Sequence, residues 1–313
     1  MTHKAKHALS LVLPALLCCA LLPCQNLRQA TVAADIIVVA TDIGVRPLGK
    51  SLLLHRLRVI STLKGDAPSL LTVPESKQVA QHVRPGPGET RLYCLHDFDE
   101  RARRLGLPQS QAPYFTMSGY QGSNPAIADH RKAPAVEFAR IILAAQANRT
   151  PQETCSALLR QIFTGPPTLR LEAAQALVER PILRRRLSPF DRSQLMALAV
   201  GEIKDIPFKI AVAELCAEDR MQGLVDALCR CIDEVADPRF AASLGRIAKV
   251  LHGESATEVL RPHLLGTQRQ RSRSRLILAL GATETQSARQ ALLRMRETDG
   301  PDADIDAALK YLR

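Results

Sequence analysis

Residues 170–177, Arg-Leu-Glu-Ala-Ala-Gln-Ala-Leu, decide how the second half of this chain folds. Leu171, Ala174 and Leu177, continued by Val178, recur at helical spacing and line one stripe of a helix. Segments of the same kind follow one another from Pro151 onward. They fall into pairs: 152–163 with 169–179, 193–203 with 208–218, 221–235 with 238–251, 257–264 with 273–280, and 286–296 with 302–312. Helix breakers separate them, among them Gly165, Pro166, Pro167, Pro181, Pro189, Pro207, Gly253, Gly281, Gly300 and Pro301. Asp237 before Pro238 supplies an N-cap with proline at the first helical position. The unit is about 30–38 residues long, and stacked helical pairs of that length make a solenoid whose long surface binds a partner.

This half resembles HEAT-like repeats of the short bacterial type, similar to those in phycobilin-lyase relatives. The second helix of that family carries R-x-x-A-A-x-x-L, and Arg170, Ala173, Ala174 and Leu177 match it. Residues 273–295 resemble another helix-turn-helix junction of the family. Segment 208–218 keeps Ala211 and Leu215 but has Phe208 where the arginine belongs. The resemblance implies an all-α HEAT-like solenoid over 151–313. No residue here carries the lyase activity, so that activity is not transferred.

Ahead of the array the periodicity changes. Residues 119–134 are rich in Gly, Ser, Asn, Pro and charge and read as an irregular connection. Segment 135–147 reads as a helix leading into the array, so that 129–150 is linker plus leading helix. Asn148, Arg149 and Thr150 form a glycosylation pattern, but Pro151 follows it. Residues 35–128 read as a small all-β domain. Segment 35–41 is β-branched and apolar. Segment 54–62 alternates, with Leu57 and Val59 opposite Arg56 and Arg58, and Lys64, Gly65 and Asp66 end it as a turn. Short strands follow at 70–73, 91–95 and 114–117, with a turn at 84–88. About five strands at this spacing make a small barrel or sandwich. The pattern resembles OB-like or netrin-like barrels of exported bacterial proteins, which include the inhibitory domain of metalloproteinase inhibitors. Inhibition in that family depends on an N-terminal cysteine and paired disulfides. Cys94 is the only cysteine of 35–128, so inhibition is not implied.

The N-terminus sets the compartment. Lys4 and Lys6 precede an apolar run over 8–23, and no acid occurs before Asp35. A basic start followed by an uncharged core is a secretory signal, and Val32, Ala33 and Ala34 offer small residues for cleavage. Segment 1–34 is therefore expected to be a signal peptide, and the protein periplasmic or extracellular. The alternative is an uncleaved membrane anchor, since the run is near the lower length for a span. Lipidation at Cys18, Cys19 or Cys24 lacks the small residue it needs in front. The chain carries a net charge of +11 and stays basic if Lys4, Lys6 and Arg28 are removed. The remaining cysteines, Cys94, Cys155, Cys216, Cys229 and Cys231, are odd in number and form no closed disulfide framework. Four lie in helical patterns, where a cysteine acts as a small hydrophobe.

Two motifs resemble sites. Gly44, Gly49, Lys50 and Ser51 match the P-loop pattern G-x-x-x-x-G-K-[ST] after a strand. The strand-like Val59 to Thr62 then stands where a P-loop requires a helix, and Val45 and Leu48 crowd the loop. A hairpin is expected, and an antiparallel pairing of 54–62 with 35–41 decides the matter. His96, Asp97 and Asp99 cluster after a strand, but His55, His82 and His130 are scattered, so no metal site is expected. Neither H-E-x-x-H nor G-x-S-x-G occurs. No catalytic, cofactor or metal residue is assigned. Basic runs remain: Arg184, Arg185 and Arg186, and Arg269, Arg271, Arg273 and Arg275. They are candidates for an anionic partner, such as a lipid headgroup or an envelope polymer, and export argues against nucleic acid. The expected function is a non-enzymatic extracytoplasmic scaffold that binds a protein through its helical repeats. The alternative is an enzyme, using nucleotide through 44–51 or an unrecognised hydrolytic constellation.

Overall fold

A computed structural model of the chain describes residues 26–76, 88–110, 112–117, 129, 132–235, 237–267 and 269–312. The chain divides into two compact units after Thr150.

In the first unit α1 (Leu27–Ala33) leads into β1 (Ile36–Leu48), β2 (Leu52–Lys64), β3 (Leu70–Ser76) and β4 (Thr90–Asp97). Then come α2 (Asp99–Arg104), β5 (Phe115–Met117) and α3 (Pro134–Gln146). The strands form one antiparallel sheet in the order β3-β2-β1-β4-β5. Its ends approach each other: the Thr72 N–H donates to the Pro113 carbonyl at 3.0 Å, and Thr72 bridges Tyr114 in parallel. The sheet is thus a nearly closed barrel with few free edges. The register of β1 against β2 shifts at Ile37/Val38, Val39/Ala40 and Asp42/Gly44, and irregularities of this kind add the bend and twist that curl the sheet.

Ile36, Val38 and Ala40 face the interior with Leu57, Leu71, Val73, Tyr93, Leu95 and Phe115. Ile37 and Val39, on the other face, are also fully buried. The cover there includes α1: Lys64 Nζ donates to the Val32 carbonyl at 2.9 Å. Ile37 pairs with both Lys64 and Cys94. A strand covered on both faces reads as an unbroken apolar run rather than an alternating one. Gly65 turns β2 at φ +70°, and a Cβ there would meet the Asp35 carbonyl at 2.7 Å.

Two boundaries differ from the sequence reading. The expected cut before Asp35 falls behind a folded helix. Leu27, Ala30 and Thr31 in α1 are fully buried, and Asn26 and Gln29 cap it reciprocally. Arg28 is buried too. An Asn cap followed three residues later by Gln is a helix start, and small residues that suit a cleavage site also suit close packing. The leading helix, α3, packs on α1 and belongs to the first unit, not to the array. The apolar run 8–23, Cys18, Cys19, Cys24, His82, most of the turn 84–88 and most of the connection 119–134 lie outside the described residues.

The second unit is helical: α4 (Pro151–Thr164), α5 (Pro167–Val178), α6 (Pro181–Arg184), α7 (Pro189–Val200), α8 (Ile206–Glu218), α9 (Leu224–Arg230), α10 (Pro238–His252), α11 (Ala256–Gly266), α12 (Gln270–Ala282), α13 (Gln286–Asp299) and α14 (Ala303–Lys310). Each expected segment contains a helix, and α6 is an additional short turn. Helices α5, α8, α10, α12 and α14 pack successively in one row, while α7, α9, α11 and α13 follow one another in a second. The first row is close-packed. A Cβ on Gly245 of α10 would lie 2.0 Å from the Ala279 carbonyl of α12, and one on Gly281 would lie 2.6 Å from the Ala308 carbonyl of α14.

Cations fix the row in register. Arg170 Nε donates to the Ile162 carbonyl at 2.8 Å, and its guanidinium lies 4.4 Å from the Phe208 ring centroid. Lys209 repeats the device: Nζ donates to the Gly201 carbonyl at 2.7 Å and lies 5.3 Å from the Phe240 ring centroid. Each cation satisfies an orphaned carbonyl at the end of the preceding helix and rests on an aromatic face of the next helix in the row. The sequence register that puts Phe208 in the arginine's place is therefore off by one. Lys209 plays the arginine's part, and Phe208 is the ring on which Arg170 lies.

Candidate functional site

A groove of about 450 Å3 crosses the close-packed row. Its floor is Leu171 of α5, Ile210 of α8 and Ala242 of α10, with Pro207 and Pro238 at the helix starts. Glu214, Arg239 and Arg246 supply charge, and half-exposed Tyr311 contributes an aromatic ring. Arg239 is held by Asp237 at 2.6 Å, and Arg246 reaches Glu214 at 3.7 Å. The groove is mixed rather than strongly charged, and it offers a hydrocarbon floor with a few polar anchors, as a protein-binding surface does.

The seven arginines singled out from sequence do not form one patch. Arg184 is buried and donates to the Leu177 and Val178 carbonyls and to Glu218 at 3.1 Å. Arg275 is buried and donates to the Ile232 and Asp233 carbonyls. Arg273 pairs with Asp299 at 2.6 Å and Asp302 at 2.9 Å, and Arg269 with Asp233 at 3.0 Å. Arg184, Arg273 and Arg275 hold helix ends together, whereas Arg269 makes its ion pair from an exposed position. Arg185, Arg186 and Arg271 are exposed, and no carboxylate among the described residues pairs with them.

The barrel holds a charged cluster that sequence reading missed. Asp42, His55 and Glu75 continue the interior-facing positions of β1, β2 and β3 beyond Ala40, Leu57 and Val73, and all three are buried. His55 Nδ1 lies 2.7 Å from Asp42 Oδ2, and Nε2 lies 2.9 Å from Glu75 Oε2. The second contact is an ion pair lacking the alignment of a good hydrogen bond. Asp42 also accepts from the Gly44 N–H at 3.0 Å. Burial opposes charging His55, but the Asp42 hydrogen bond and then Glu75 outweigh it, and its pKa is pushed up to about 9. The imidazolium thus ties three strands together. Burial, followed by the charge on Asp42, raises the Tyr93 phenol above its ordinary range, and its Oη has no partner among the described residues. The available signal was polar residues at the apolar phase of alternating strands.

The other motifs resolve locally. Strand β1 pairs antiparallel with β2 from Ile37↔Lys64 to Leu48↔Leu52, so Gly44 to Leu48 are strand and Gly49, Lys50 and Ser51 make the turn. That hairpin is incompatible with a P-loop, which needs a helix after the lysine. His96 lies 3.3 Å from Asp35, while Asp97 accepts from the Asp99 N–H and Asp99 from the Tyr114 N–H. No group of metal-ligating side chains converges among the described residues. Cys94, Cys155, Cys216, Cys229 and Cys231 are buried and free. Burial raises all five thiols, that of Cys155 to about 11 and those of Cys94, Cys216 and Cys229 to about 12, which keeps them protonated and unreactive. No described helix is long and apolar enough to cross a membrane. Comparison with family models, with curated proteins and with solved structures returns no match for this chain.

Proposed function

We propose that this chain is an exported, non-enzymatic interaction protein whose HEAT-like repeats form a solenoid and bind a protein partner in the groove over α5, α8 and α10. The observation that carries the reading is the successive packing of α5, α8, α10, α12 and α14, which extends one pre-formed surface across several helical units. The repeated Arg170 and Lys209 devices support a common repeat frame. The ring of neighbours β1-β2-β3-β5-β4 supports an OB-like barrel as the first unit. The basic start and apolar run at 4–23 support export, with processing ahead of Asn26 so that α1 stays in the fold.

The test uses Ile210→Glu, which puts a charge on the half-buried groove floor. Immobilised parent and variant proteins are incubated with extract of the native cell envelope. A protein retained by the parent and lost with Ile210→Glu, at equal helical circular dichroism, supports the groove. Equal retention of every bound protein by both refutes it.

A further inference from the structure

A second surface lies away from the groove. Residues 181–187 make a compact helical turn, closed by Arg185 N–H to the Pro181 carbonyl at 3.1 Å, Arg186 N–H to Leu183 at 2.9 Å and Leu187 N–H to Arg184 at 3.0 Å. Its inward side is Leu183, Arg184 and Leu187, all buried. Its outward side is Ile182, Arg185 and Arg186, at the i, i+3, i+4 spacing that places side chains on one helical face. Phe190 follows at the start of α7. It is 68 % exposed, and Ile182 is 44 % exposed.

Packing within this unit does not account for these four side chains. The acids nearby are occupied: Glu218 takes Arg184, Asp219 takes Arg192 at 2.5 Å, and Asp191 accepts from both the backbone and the hydroxyl of Ser188. Arg185 and Arg186 therefore share the outward side of the turn with exposed Ile182, have no counter-charge among the described residues, and are followed by exposed Phe190 at the start of the next helix. Basic groups flanked by exposed aliphatic and aromatic side chains suit the boundary between anionic headgroups and acyl chains.

We propose that the ridge of Ile182, Arg185, Arg186 and Phe190 docks the helical unit on an anionic lipid surface. The arginines meet lipid phosphates, and Phe190 and Ile182 enter the headgroup–acyl boundary. The helical turn presents Ile182, Arg185 and Arg186 ready-made, and Phe190 is held at the start of α7, so little ordering is needed on contact. The proposal is independent of the groove, since none of the four residues lines it.

The experiment is flotation of the full chain with vesicles of phosphatidylcholine alone and of phosphatidylcholine mixed with phosphatidylglycerol. Binding to the neutral vesicles reports the apolar segment 8–23, and the part of the phosphatidylglycerol increment that Arg185→Ala with Arg186→Ala removes reports the ridge, since Lys4 and Lys6 also attract anionic lipid. The parent should show an increment that salt weakens. Arg185→Ala with Arg186→Ala should reduce it about 25-fold, taking about fivefold per arginine. Phe190→Ser should reduce it severalfold at unchanged salt dependence. Because all four residues are exposed, the variants should melt like the parent. No increment for the parent, or an increment that survives the double substitution, overturns the proposal. Loss of a captured protein in the double variant, with no lipid increment in the parent, would make the ridge a protein contact and overturn it equally.

Discussion

Replacing His55 by Gln removes the cation that lies between two buried carboxylates, and the cost follows from the geometry. Nδ1 and Nε2 each face a carboxylate oxygen within 2.9 Å, in a place where side-chain exposure is 6 % or less for all three groups. Raising the histidine from its ordinary 6.5 to about 9 corresponds to about 3 kcal/mol favouring the charged form, at about 1.4 kcal/mol per pKa unit. Breaking a buried ion pair on one side costs about 3–5 kcal/mol, so His55→Gln should weaken the barrel by that order at pH 6. The sign of the pH dependence is fixed. The folded pKa lies above the unfolded one, so the contribution is complete below pH 6.5 and disappears as pH rises through about 9. The groups facing His55 are Asp42 of β1 and Glu75 of β3, with Tyr93, Arg91 and Glu89 of the β4 side beyond them. Calorimetric unfolding of the full chain from pH 6 to 10 should show parent and variant differing most at low pH and converging above pH 9. Subtracting one curve from the other removes tyrosines and cysteines common to both. An NMR titration of the imidazole is the direct companion measurement. Parallel stability curves, or an imidazole that titrates near 6.5, would refute the reasoning.

Four further outcomes follow from named contacts. Gly245→Ala should destabilise the helical unit by about 1–3 kcal/mol, because its Cβ would meet the Ala279 carbonyl of the next helix; an open helix position would instead gain about 0.5–1 kcal/mol, so a higher melting temperature would disprove the close approach. Leu177→Asp should prevent stable folding of the row, since Leu177 is fully buried, and a melt equal to the parent's would show the register to be wrong. Lys50→Ala should leave stability almost unchanged and the intact protein should bind neither ATP nor GTP with Mg2+ by calorimetric titration; micromolar binding abolished by the substitution would contradict the hairpin. N-terminal sequencing of the protein isolated from its native cells should find a start at or before Asn26, and a start at Asp35 would show that the barrel stands without α1.

Much of the helical unit was legible because its segments are amphipathic and its breakers are Pro and Gly, which act locally. The shift between Phe208 and Lys209 was not, since both residues fit the local pattern and only the contact with the neighbouring helix distinguishes cation from ring. In the barrel, the strands were legible from β-branched runs and turns, although β1 extends farther than its apolar part. The arginine clusters show the limit most clearly. Seven residues of one type in two short runs divide into three that brace helix ends and four that face solvent, and spacing along the chain carries no trace of that division.

By itself the sequence determined two kinds of domain, strand-rich before helix-rich, and a hairpin where a P-loop motif stands, because side-chain periodicity and turn chemistry are local properties. Only the tertiary structure decided that α1 is a structural part of the first unit, that Asp42, His55 and Glu75 meet inside the barrel, and that Arg184 is paired while Arg185 and Arg186 have no carboxylate partner among the described residues. Those outcomes depend on which distant carboxylates, carbonyls and rings reach each side chain. The contacts that set them span 13 residues from Asp42 to His55 and 34 from Arg184 to Glu218.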